Sequence, residues 1–149
     1  MPIEVAAVPW DDPDATALRE AQRIEIDARY GGDTEPGPKP SADDIVLFLV
    51  ARRDGKAVGC GGLRAIDAEH GEIKRMFVAP AARGSGVSRA ILGALEDAAR
   101  ERGWSRLVLE TGTEQPDAIR FYTREGYAPI ERYGHYAESE LSRCFGRSL

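Results

Sequence analysis

Cysteine is scarce in this chain. Its 149 residues include two, Cys60 and Cys144, and their spacing matches no metal-ligand pattern, so no metal site is expected. Cys60 sits in an apolar, glycine-rich run and Cys144 stands beside Phe145. Both read as buried thiols in a reducing cytosol rather than as a disulfide. No run of residues approaches the ~18 apolar positions of a membrane span. The opening MPIEVAAVPWDDPD has neither a basic n-region nor a long apolar h-region, so no signal peptide is expected and the cytoplasm is the expected compartment. A basic excess is also missing. The net charge is −5, which argues against a general nucleic-acid binder. That charge suits a cationic substrate, and it equally suits plain solubility. Two nucleotide motifs are absent. None of the three lysines closes a GxxxxGK[ST] loop, and no GxGxxG follows a strand and opens a helix. No internal repeat and no linker divides the chain, so residues 1–149 are expected to form one domain.

The remaining pattern is that of an ordinary globular protein, with 42% hydrophobic and 30% charged residues. A chain of this length buries roughly 68–70% of its unfolded surface. Ile3–Val8 reads as a strand. Residues 14–30 read as a helix capped by Asp14, with Ala17, Leu18, Ala21, Ile24 and Ala28 on its apolar face. The stretch 31–44, with three prolines and three glycines, is an exposed loop of a length that is often functional or mobile. Residues 45–52 and 56–66 read as strands joined by a turn at Asp54-Gly55. The glycines of the second strand leave room for something to approach its backbone. Another strand spans 71–80, and a helix spans 87–102 with Val87, Ala90, Ile91, Ala94, Leu95, Ala98 and Ala99 on one face and Gly103 as its stop. A buried strand at 105–111, a short helix at 116–126 and a closing strand pair complete the order. That order fits an α+β fold in layers, with a mostly antiparallel sheet flanked by helices.

The segment 83–89, RGSGVSR, joins the strand at 71–80 to the helix at 87–102. Helix N-termini present unpaired N–H groups and partial positive charge, and so attract anions. Gly84 and Gly86 let successive N–H groups converge, and Arg83 adds a bidentate donor suited to phosphate oxygens. Arg89 in the first turn opposes the helix dipole unless an anion sits there.

Arg83-x-x-Gly86-x-Ser88, preceded by Met76-Phe77-Val78 and Pro80, resembles the acetyl-CoA motif [Gln/Arg]-x-x-Gly-x-[Gly/Ala] of the GNAT superfamily of N-acyltransferases. Gln115-x-x-Ala118-x-x-x-Tyr122, followed by Gly126-Tyr127, is similar to that family's Asn-x-x-Ala-x-x-x-Tyr-x-x-x-Gly-Phe. The resemblance is strong over residues 45–130. It also extends to a bacterial subgroup marked here by GCGGLR, EIKRMFV, LETG and a tail with YGHY and CF. Ser88 replaces the usual Gly or Ala, and Gln115 replaces the usual Asn. The resemblance implies a six- to seven-stranded sheet splayed between its fourth and fifth strands. Acetyl-CoA would lie in that gap: the backbone of Met76, Phe77 and Val78 pairs with the pantetheine, Arg83, Gly84, Ser85, Gly86, Val87, Ser88 and Arg89 hold the pyrophosphate, and Gln115, Ala118 and Tyr122 flank the arm.

The resemblance further implies direct acetyl transfer to a primary amine of a small or amino-acid-like acceptor. Protein-lysine or N-terminal acetylation and a non-catalytic acyl-CoA-binding module are the alternatives. An alkylammonium with a pKa near ~10 must lose a proton before attack, and the thiolate must gain one. Tyr122 is the expected acid and Glu72 the expected base, with Glu110 as the alternative base. The acceptor site is expected between the loop 31–44, the end of the 56–66 strand and the tail 131–139. There Arg64 and Arg75 would clamp a substrate carboxylate, and Tyr30, Tyr133 and Tyr136 would wall the pocket. A homodimer is common among similar proteins, and the sequence leaves the oligomeric state open.

Overall fold

The computed structural model describes residues 2–149. Its strands are β1 (Ile3–Ala7), β2 (Ile45–Arg53), β3 (Lys56–Ala65), β4 (His70–Val78), β5 (Arg106–Gly112), β6 (Ala128–Ile130) and β7 (Ser142–Ser148). The helices are α1 (Pro13–Tyr30), α2 (Val87–Glu101) and α3 (Pro116–Arg124). The seven strands form one sheet in the order β1-β2-β3-β4-β5-β7-β6. Every pair is antiparallel except β4 and β5. The expected layered α+β fold with a mixed sheet is therefore observed.

The β2–β3 hairpin turns through Asp54 and Gly55, both at positive φ (54° and 76°). This is the backbone that a two-residue turn needs to match strand twist. Asp12, not Asp14, caps α1, and its carboxylate accepts from the Ala15 N–H at 3.0 Å. Pro13 takes the first helical position, where its missing N–H is harmless, and this moves the cap one residue upstream of it.

The buried face of α1 also differs from the expected one. Ala15, Leu18 and Gln22 point inward, whereas Ile24 is 57% exposed and Ala17, Ala21 and Ala28 lie outside. Alanines fit either face, so they do not select one. Packing is decided by Leu18, which joins Phe48, Val50, Cys60 and Phe77 on one side of the sheet.

Helix α2 packs on the other side through Val87, Ile91, Leu92, Leu95 and Ala99, joined by Leu49, Leu63, Ile73 and Leu107 of the sheet. Each such fully buried aliphatic side chain contributes about 1.5–3 kcal/mol. Truncating Leu95 to alanine costs ~2–5 kcal/mol. The β3 glycines serve this contact: a Cβ at Gly59 would come within 2.9 Å of Val87 and Ile91, and one at Gly61 within 3.0 Å of Ile91 and Met76. It is thus helix α2 that approaches this backbone. Both cysteines are buried free thiols, as expected.

Parallel pairing of β4 with β5 covers four residue pairs, from His70–Arg106 to Ile73–Leu109. Beyond them the strands part, in agreement with the expected splay. The candidate site lies at this gap.

Candidate active site

The strands part where β4 becomes irregular. Gly62 faces Lys74 and Cys60 faces Phe77, so Arg75 and Met76 together oppose Gly61. This is a β-bulge, and Arg75 adopts φ +57° within it. Left-handed backbone at a non-glycine residue is strained and tends to mark functional positions. The bulge turns backbone groups of β4 away from the ladder, toward the opening.

A cavity of about 430 Å³ occupies this region. Its walls include Gln22 and Tyr30 of α1, Glu35 of the following loop, Lys74 to Met76 of β4, Leu109 to Gly112 of β5, and Gln115, Ala118 and Tyr122 of α3. Of the expected cofactor residues, Met76, Gln115, Ala118 and Tyr122 border it directly, and Phe77 and Val78 continue β4 into the core.

The turn before α2 leaves backbone donors open. Gly84 and Gly86 adopt φ +76° and +89°, and a Cβ at either would meet nothing within 4 Å. Among the described residues, the N–H groups of Gly84 to Ser88 donate to no acceptor in the preceding turn. Such a row of free donors at a helix start fits a pyrophosphate. Arg89 is largely exposed beside Glu125. Arg83 is committed within the protein, donating from Nε to the Val78 carbonyl at 2.9 Å and from Nη2 to Glu25 at 2.7 Å. Arg53, across the β2–β3 hairpin, reaches Ser85 through both its hydroxyl and its carbonyl.

Tyr122 is buried on the cavity wall, and burial pushes its pKa up, so the hydroxyl stays protonated. Glu110 also lines the cavity. Burial raises its pKa, opposed by a 2.6 Å hydrogen bond from the Ser142 hydroxyl and by the charge of Lys74. Glu72 is placed differently. It is 0% exposed and is not part of the cavity wall. One of its oxygens accepts from Arg64 at 2.8 Å, the other from the Tyr133 hydroxyl at 2.6 Å.

The two arginines expected to clamp a substrate carboxylate are held by the chain's own acids. Arg64 pairs with Glu72, and Arg75 with Glu35. Tyr133 and Tyr136 pack edge to face at 5.4 Å and lie behind the wall rather than on it. Tyr133 serves Glu72, and Tyr136 accepts from Lys74 at 2.6 Å. Tyr30 does line the cavity, and its hydroxyl accepts from the Glu114 N–H at 3.0 Å.

Glu35, Lys74, Gln22 and Arg19 on the same wall were not singled out from the sequence. Gln22 donates from Nε2 to the Met76 carbonyl at 2.9 Å and so ties α1 to the bulge. A glutamine four positions after Leu18, on the same helical face, was the available signal for it. Glu35 and Lys74 carried none, because their roles depend on contacts across the fold.

The family model for the acetyltransferase (GNAT) family matches residues 8–127. The chain belongs to this family. As a GNAT acetyltransferase it is an acyltransferase, and its relatives agree. It is 42% identical over 153 residues to the IAA acetyltransferase of Azospirillum brasilense, a match covering 92% of this chain and 99% of that one. A Klebsiella pneumoniae protein assigned to the acyl-CoA N-acyltransferases superposes with a TM-score of 0.83 at 31% identity, over 99% of this chain and 97% of that one. A GNAT family acetyltransferase from Elizabethkingia anophelis with acetyl-CoA bound shares the fold, with a TM-score of 0.74 at 16% identity over 99% of this chain and 98% of that one. Among the described residues no helix is long and apolar enough to cross a membrane.

Proposed function

We propose that this acetyltransferase moves an acetyl group from acetyl-CoA directly to the amine of a small, amino-acid-like acceptor within one ternary complex. The observation that carries this reading is the placement of Glu110 and Tyr122 on one cavity that opens where β4 and β5 part. Acetyl-CoA supplies the acyl group as a thioester with a good leaving group. The N–H groups of Gly84 to Ser88 hold its pyrophosphate, assisted by Arg89 and by Arg83 once it is released from Glu25. The backbone of Met76 to Val78, which β5 leaves unpaired beyond Ile73, takes the pantetheine as an added strand, with Gln115 and Ala118 beside it. Backbone N–H groups at this strand also polarise the thioester carbonyl.

The amine enters as an ammonium and must lose a proton before it attacks. Glu110 receives its proton. Its raised pKa narrows the gap to the ammonium and favours proton transfer near neutrality. The neutral nitrogen then forms the C–N bond as the C–S bond breaks; Tyr122 gives its proton to the departing sulfur, and the second proton, shed by the nitrogen as it becomes an amide, restores the Tyr122 hydroxyl. Glu72 is the less apt base, because both its oxygens are engaged away from the cavity. It positions Arg64 and Tyr133 instead. The relatives' names, which include an aminoalkylphosphonate N-acetyltransferase of Salmonella typhimurium, support a small acceptor.

A thiol-release assay with acetyl-CoA and a panel of amines tests the reading. Sustained release that depends on the acceptor is expected. Tight acetyl-CoA binding without turnover on any amine would mark a non-catalytic module.

A further inference from the structure

Two buried side-chain polar atoms among the described residues have no hydrogen-bond partner: Nη1 of Arg19 and Oε1 of Gln22. The two residues stand one turn apart on α1, and both line the cavity. Gln22 is 9% exposed. Its orientation is fixed because the Met76 carbonyl requires a donor, which leaves the amide oxygen as the free end. Arg19 sits over Trp10, with its guanidinium carbon 3.6 Å from the ring centroid, and spends Nη2 on the Trp10 carbonyl. A buried donor and a buried acceptor left open side by side are expensive unless something completes them.

The charges of the cavity single out the same wall. Every other cationic side chain lining it is ion-paired to a carboxylate of the chain. Among the described lining residues, Arg19 is the one cation and Glu110 the one carboxylate with no ion-pair partner. One unmatched positive group and one unmatched negative group complement a molecule that carries both signs.

We propose that Arg19 determines acceptor specificity by receiving the acidic group of a zwitterionic acceptor, an amino acid with a carboxylate or phosphonate. The acceptor's amine then lies toward Glu110 and donates to Oε1 of Gln22. The assignment rests on the acetyl-transfer reading above and names the acceptor class for it. It replaces Arg64 and Arg75, which the chain's own acids occupy, as the source of carboxylate recognition.

The test uses matched probes: the protein amino acids, β-alanine and 2-aminoethylphosphonate, each beside the amine that lacks the acidic group. Acetylation is measured as kcat/KM, and binding is measured by calorimetry with and without CoA. The zwitterions are expected to outperform their partner amines by about 10- to 100-fold, the size of a charge-assisted contact. In Arg19→Gln that ratio falls toward one, and Arg19→Lys keeps most of it. Thermal melts confirm that both variants are folded. Equal performance of the acid-free amines, an unchanged ratio in Arg19→Gln, or failure of every zwitterion to bind overturns the proposal. Arg19-dependent binding of zwitterions without acetylation of any probe upholds it and sinks the transferase reading instead. Superior performance of the phosphonate over every carboxylate identifies the acidic group as phosphonate.

Discussion

Glu35 and Arg75 meet in a two-pronged ion pair, with contacts of 2.8 and 2.9 Å. One residue belongs to the proline-rich loop and the other to the strained bulge of β4, so the pair fastens the loop over the cavity. Burial opposes the ionisation of Glu35. The hydrogen bond and charge of Arg75, with help from Lys74 and Lys39, nevertheless hold its pKa at about 2. A pKa lowered on folding gives stability that is complete above the ordinary value near 4.5 and is lost as pH falls toward about 2. Glu35→Gln is expected to cost ~1–3 kcal/mol at neutral pH. In denaturant unfolding, the gap from the wild type should shrink as pH drops through that window. A gap that is constant down to pH 2 would contradict the assignment.

The two candidate bases separate by variant. Glu110→Gln should lower kcat/KM by about 10²–10⁴-fold at neutral pH, with partial recovery at high pH where free amine is abundant. Because the pKa of Glu110 is raised, the acidic limb of the wild-type profile should lie above the ordinary glutamate range. Glu72→Gln should act chiefly on stability, lowering the melting temperature while folded enzyme turns over. The reverse pattern would return the role of base to Glu72.

Tyr122→Phe should lower kcat at or below the ~10²-fold low end of proton donation, since a thiolate leaves well unaided. Calorimetry should find acetyl-CoA affinity little changed. Near-normal turnover with a lower melting temperature would make Tyr122 a packing residue.

Gly86 can be probed by two substitutions at one position. Alanine meets no steric obstacle but must adopt φ +89°, at a cost of roughly 1–2 kcal/mol. Aspartate adds a carboxylate facing the row of N–H donors. A severe loss of acetyl-CoA binding in Gly86→Asp with a mild loss in Gly86→Ala locates the pyrophosphate there. Equal affinities in titration would place it elsewhere.

Local signals carried most of the fold. The Asp54-Gly55 turn, the helix around Ile91 and Leu95, and the stop at Gly103 follow from short stretches whose preferences agree with the whole. The face of α1 did not follow, because alanine is indifferent to burial and the deciding side of that helix carries Arg19 and Gln22 for a cavity made elsewhere. The geometry of the candidate site was legible where it resides in contiguous backbone, as in the positive-φ glycines of residues 83–88, and where a family pattern pointed to Tyr122, which lies on the cavity wall. It was illegible where charges choose partners in space. From sequence alone Arg64 and Arg75 are as eligible as Arg19, and only the fold shows that Glu72 and Glu35 pair with them.

Strands β4 and β5 behave like the arms of a pair of tongs. Their four residue pairs, starting at His70 and Arg106, are the pivot, and the tips lie at Val78 and Gly112. The pivot is packed hard: a Cβ at Gly71 would come within 2.1 Å of the Trp104 ring. A small change of twist at this end is multiplied along the arms, so the spacing of the tips is set far from anything that enters between them. Substitutions at Gly71 or Trp104 would therefore alter the grip on a ligand that neither residue touches.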